Sequence, residues 1–132
     1  MKISFMTLGC PNWDLATICR NGRTMGFDGV DFRGYLDALD ITLLPEFTTH
    51  VTETRRMLDE AGLKVSCISS SIAVCLRERL TANLEEARRT IPVAQALGCK
   101  NVRIFGNGNP EQYSRQELAA IGRDTIEQIL AL

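Results

Sequence analysis

Three charged residues inside apolar, strand-like runs are the chemistry this sequence has to explain. Asp31 and Arg33 stand in GVDFRG, and Arg103 stands in NVRIF, stretches otherwise made of valine, isoleucine, phenylalanine and small residues. Side chains alternate along a strand, so Asp31 and Arg33 share one face while Val30 and Phe32 take the other. Parallel strands covered on both faces normally read as nearly continuous apolar runs, so these charges need partners. Two readings are open and do not exclude each other. Asp31 can form a structural ion pair with Arg103 or Arg33, or the arginines can reach a hydroxyl, carboxylate or phosphate at the carboxyl ends of the strands.

The residues that follow each strand-like run complete the candidate set. Cys10, Asn12 and Trp13 follow the first, Ser69, Ser70 and Ser71 the third, and Asn107, Gly108 and Asn109 the fourth. Trp13 offers either an apolar platform for a sugar ring or a cap over the core. The binding candidates are Trp13, Asp31, Arg33, Ser69, Arg103 and Asn107. FGNGNP places Glu111 where a dinucleotide fingerprint needs its third glycine, which leaves amide donors at the next helix as an anion site. The single histidine, His50, falls at a helix start and reads as a solvated residue. No serine–histidine or cysteine–histidine pair is indicated, so no catalytic or metal-ligating residue is assigned. Cys67 and the other cysteines read as core, with Cys10 the one placed where a thiol would matter.

The elements that position these residues are announced by glycine. Gly26, Gly62 and Gly98 recur every 36 residues, each closing a helix-like stretch and opening a strand-like one. A glycine there ends a helix in the left-handed conformation that costs other residues a Cβ clash. The spacing predicts strands at Lys2 to Leu8, Gly29 to Gly34, Lys64 to Ser70 and Asn101 to Phe105. The helices are predicted from Asp14 to Gly26, from Thr49 to Ala61, from near Asn83 with Glu86 completing a capping box, and from Ser114 with Glu117 doing the same. Gly22 weakens the first helix, and Pro92 predicts a kink or a later start in the third. Asp31 and Arg103 each lie five residues after a repeat glycine and so hold equivalent places, able to face each other in one interior layer.

Four βα units make half of a closed eight-unit barrel, which needs roughly 200 to 250 residues, whereas this chain has 132. Residues 1–132 are read as one domain that ends where a fifth strand is expected. Apolar residues at 45% and charged residues at 23% fit a globular domain. With a net charge of −1 no nucleic-acid partner is indicated, and no apolar run reaches a membrane span. Five cysteines without CxxC spacing and without an export signal point to reduced thiols in the cytoplasm.

The stretches ISFMTLGCPNWDL, MGFDGVDFRG, LDEAGLKVSCISSS and EEARRTIPVAQALGCKNVRIFGN, in this order and covering nearly all of the chain, resemble the N-terminal half of the sugar phosphate isomerase/epimerase family, the xylose isomerase-like TIM barrels. The resemblance implies an acidic residue and an arginine on strand two (Asp31 and Arg33) and an arginine on strand four (Arg103). It also implies a divalent metal (Mn, Mg, Co or Zn) and two proton-moving glutamates on strands five to eight, all beyond Leu132. One copy of this chain is then the substrate-binding half of a sugar or sugar-phosphate enzyme, without metal-dependent proton transfer of its own. Its partner would be a complementing C-terminal half-barrel or a second copy. The alternatives are a self-associating binding or structural module and an open, doubly wound sheet. The DNA-repair endonucleases that share the barrel are a weaker match, since they need histidines near early strand ends.

Overall fold

All three repeat glycines are left-handed, with φ of +76° at Gly26, +74° at Gly62 and +66° at Gly98. The closing hydrogen bonds repeat with them. The amide after each glycine donates to a carbonyl five residues back: Phe27 to Gly22 at 3.0 Å, Leu63 to Leu58 at 2.9 Å and Cys99 to Ala94 at 2.8 Å. This is the Schellman closure, so the 36-residue period is the period of a physical device.

The computed structural model describes residues 1–132. Its elements are β1 (Ser4–Met6), α1 (Leu15–Thr24), β2 (Gly29–Phe32), α2 (Val51–Glu60), β3 (Lys64–Ala73), α3 (Leu80–Leu97), β4 (Val102–Phe105) and α4 (Arg115–Leu130). The sheet has four strands in the order β1-β2-β3-β4. That order never reverses, as in a barrel segment and unlike a doubly wound sheet with its switch point. By packing, the chain forms two compact units: Met1–Ser70 with Thr90–Arg103, and Ser71–Arg89 with Ile104–Leu132.

In the first unit, β1 is shorter than the predicted Lys2 to Leu8, because Thr7–Gly9 turn into a 3₁₀ helix. Asp14 caps α1 by accepting from the Thr17 amide at 2.8 Å. Gly22, read from sequence as a weak point of α1, is a packing residue: a Cβ there would come within 2.8 Å of Leu63. The core gathers Val30 and Phe32 of β2 under Ile18, Leu58 and Leu97 of three helices. Phe47 closes it, with ring centroids 4.9 Å from Phe32 and 5.4 Å from Tyr35.

The second unit packs Ile72, Val74 and Ala87 with Ile104 and Ile129. Here the predicted start of α3 is corrected. The helix begins at Leu80, so Asn83 is interior and fully buried rather than a cap. Its amide oxygen accepts from the Ala73 amide at 3.1 Å and its nitrogen donates to the Ala73 carbonyl at 2.9 Å. Glu86 accepts from the Ser71 amide at 2.6 Å. These side chains bond the backbone of β3 where it runs on past its predicted end. Pro92 does not interrupt α3; it and Arg88, whose carbonyl loses its intrahelical donor, are both exposed, on the side of the helix open to solvent. Ser114 and Glu117 form the predicted capping box of α4. No helix is long and apolar enough to cross a membrane.

Candidate functional site

A register slip builds the site. β2 and β3 pair as Gly29 with Lys64 and Val30 with Val65, but then Asp31 pairs with Cys67, so Ser66 is extra. Such a bulge shifts which side chains share a face. With it, Cys67 and Ser69 lie on the face of Asp31 and Arg33. Without it, Ser69 would point the other way.

The Ser69 hydroxyl donates to both Asp31 carboxylate oxygens, each at 2.9 Å. Arg103 Nε donates to the same hydroxyl at 3.0 Å. Arg33 Nη1 donates to the Ser69 carbonyl at 3.2 Å. The expected link between Asp31 and Arg103 is thus made through a serine, and Ser69, only 2% exposed, is the hub of the cluster. A hydroxyl suits this place because it donates one proton and still accepts. Two hydroxyls align the supporting backbone. Thr7 donates to the Gly34 carbonyl at 2.7 Å and accepts from the Arg33 amide at 2.9 Å. Ser70 donates to the Arg103 carbonyl at 2.7 Å.

Cys67 belongs to this face and was missed. Burial, and after it the Asp31 charge, push its thiol above the ordinary value. The signal was available: Cys67 lies five residues after Gly62, as Asp31 and Arg103 do after their glycines. With Met6, which pairs with Asp31, the layer reads Met6, Asp31, Cys67 and Arg103.

Trp13 lies apart from the hydrogen-bonded cluster but beside it. Half-buried and edge-on to Phe5 at 6.1 Å, it lines a small cleft together with Arg33. It also lines an apolar groove of about 620 Å³ with Phe5, Met6, Met25 and Phe27, along the outer edge of β1. Asn107 lies in the second unit, exposed and left-handed with φ of 45°. His50 is exposed and caps α2 with no side-chain bond. The amides at the start of α4 do not favour an anion, because Glu117 already places a carboxylate there, its pKa lowered by bonds from Ser114.

The cluster offers a carboxylate acceptor flanked by guanidinium donors, chemistry suited to holding a polyhydroxylated or oxo-bearing ligand. No three His, Cys, Asp or Glu side chains gather as a metal site. Both oxygens of Asp31 are engaged by Ser69. The residues present do not fit the divalent ion that the sequence resemblance implies, and no step is routed through one.

The family model described as xylose isomerase-like TIM barrel matches residues 19–131. The chain belongs to the xylose isomerase-like TIM barrel family. Its fold is half of that barrel, four consecutive βα units. Similar solved structures include the probable 3-DHS dehydratase AsbF of Bacillus anthracis, with a TM-score of 0.75 and 18% identity, covering 99% of this chain and 49% of that one. The 3-keto-D-glucoside 4-epimerase YcjR of E. coli gives 0.67 and 20%, covering 99% and 52%. A xylose isomerase domain protein of Planctomyces limnophilus gives 0.61 and 12%, covering 98% and 50%. The xylose isomerase-like chain thus spans about half the length of these structures, and identities this low show the fold alone. No curated protein sequence matches it.

Proposed function

We propose that this half-barrel is the substrate-site half of a sugar or sugar-phosphate isomerase or epimerase. The Ser69-centred joining of Asp31, Arg33 and Arg103 carries the reading. It gathers acceptor and donor groups of β2, β3 and β4 on one face, with Arg33 just past the end of β2; barrels of this class hold their substrates beyond the carboxyl ends of the strands. Proton transfer, and the divalent ion that family membership implies (Mn, Mg, Co or Zn), would be supplied by residues outside this chain. Five free thiols favour the cytoplasm.

The test is thermal unfolding with a ketose and with its phosphate. Ligand at about tenfold above Kd adds roughly 1.4 kcal/mol, a rise of several degrees in Tm. The expected result is a saturable rise in the wild type that is lost in Asp31→Asn. No rise with either ligand sinks the reading.

A second reading rests on a different observation. β1 is bonded on one side only, and Leu8 and Met25 are 55% and 63% exposed along the apolar groove beside it. An open parallel edge with apolar cover favours association. The occupant would be a complementing C-terminal half-barrel or a second copy of this chain. Native mass spectrometry of the chain alone separates them, since a dimer supports the second copy and a monomer the complementing half.

A further inference from the structure

The loop after β2 carries an apolar feature that the polar cluster does not explain. Leu36 adopts φ of 50°, a left-handed conformation that glycine or asparagine takes readily and leucine does not. It is nevertheless 45% exposed, and Leu39 close by is 57% exposed. Neither leucine is buried in the core, so the core does not account for the strained position.

The turn is held firmly. The Tyr35 amide donates to the Ala38 carbonyl at 2.8 Å, and the Ala38 amide returns a bond to Tyr35 at 3.1 Å. The Tyr35 hydroxyl accepts from the Leu15 amide at 3.1 Å, and its ring packs on Phe47. Thr7 fixes the Gly34 carbonyl at the root of the turn. Leu36 and Leu39 are therefore displayed on a braced turn, and both line the same cleft as Trp13 and Arg33. Its volume is about 40 Å³, so the cleft takes little more than a water, and a larger group would rest on its leucine rim. Arg33 is the link, because its Nη1 also donates to the Ser69 carbonyl of the polar cluster.

We infer that Leu36 and Leu39 form an apolar lip that receives the non-sugar substituent of a glycoside whose sugar lies on the Asp31–Ser69–Arg103 cluster. The inference rests on the sugar reading above and narrows it. An aromatic substituent suits the lip best, since Trp13 and Arg33 offer it edge contact and a cation. Free sugars and sugar phosphates would leave the lip bare.

Trp13 is the only tryptophan, so its emission reports binding directly. The experiment titrates the chain with phenyl β-glucoside, methyl β-glucoside and a free ketose, then repeats the series with Leu36→Gly and Leu39→Ser. Leu36→Gly relieves the backbone strain, so a loss of binding in that variant is not a loss of fold. The expected result is phenyl glycoside binding about tenfold tighter than methyl glycoside, a ratio that falls to about twofold or less in both variants. Equal affinities in the wild type, or a ratio that survives both variants, would overturn the lip. Ketose binding without phenyl preference overturns the lip and leaves the sugar reading standing. Absence of binding by all three overturns both.

Discussion

Ser69 does more than its size suggests. One hydroxyl joins a carboxylate of β2 to a guanidinium of β4, and its own carbonyl holds a second guanidinium. Removing it leaves Asp31 half-buried without its donor. Ser69→Ala is therefore expected to cost about 1–3 kcal/mol by urea unfolding, the range for stranding a charged acceptor. The cycle with Asp31→Ala should show a coupling of about 1 kcal/mol. Additivity within about 0.3 kcal/mol would mean that the contact contributes nothing of its own. At this scale the sequence was half legible. Counting five residues from each glycine picked out Asp31 and Arg103, and the same count from Gly62 lands on Cys67. The cysteine was passed over because its side chain reads as apolar. What no count reveals is the slip between Val30 and Asp31 that turns Ser69 to the same face.

Among the elements, α3 shows how one pattern serves two ends. Asn83 and Glu86, three apart, have the spacing of a capping box, but the same spacing puts any two residues on one helical face. Because α3 starts at Leu80, that face turns to β3, and Asn83 takes the place of a neighbouring strand for Ala73. At Ser114 the pattern means what it says. The two should separate in stability. Asn83→Ala strands a buried amide and a buried carbonyl and is expected to cost about 2–4 kcal/mol. Ser114→Ala loses an exposed cap worth about 1 kcal/mol. Equal costs in matched urea titrations would contradict the buried pairing. The ends of α1, α2 and α3 were legible from the repeat glycines, and the strands from the apolar runs that follow them. The start of α3 was not, because its first turn, Leu80 to Asn83, carries no punctuation.

For the molecule as a whole, burial sets a pH limit on the alkaline side. Desolvation raises the thiols of Cys10, Cys19, Cys67 and Cys99 above the ordinary value of 9.0, and Tyr35 above 10.0. A group whose folded pKa is raised contributes stability that is full below its unfolded value and is lost as pH rises through the folded one. The urea midpoint should therefore hold from neutral pH to about 9 and fall beyond it. A midpoint unchanged at pH 10 would show that these groups are solvated. The half-barrel itself was legible because 36 residues per unit and four units leave little freedom in the count.

The sequential strand order has a kinetic side. Every β-pairing in this chain joins strands about one repeat apart, so no bond waits for distant segments to meet. In a complete barrel the first and last strands must also find each other across roughly 250 residues. Closing a loop about seven times longer costs about 1.7 kcal/mol more in chain entropy, at about 0.6 kcal/mol per doubling. A chain with only neighbour pairings can begin to order at any unit and spread outward, like the repeats of a solenoid.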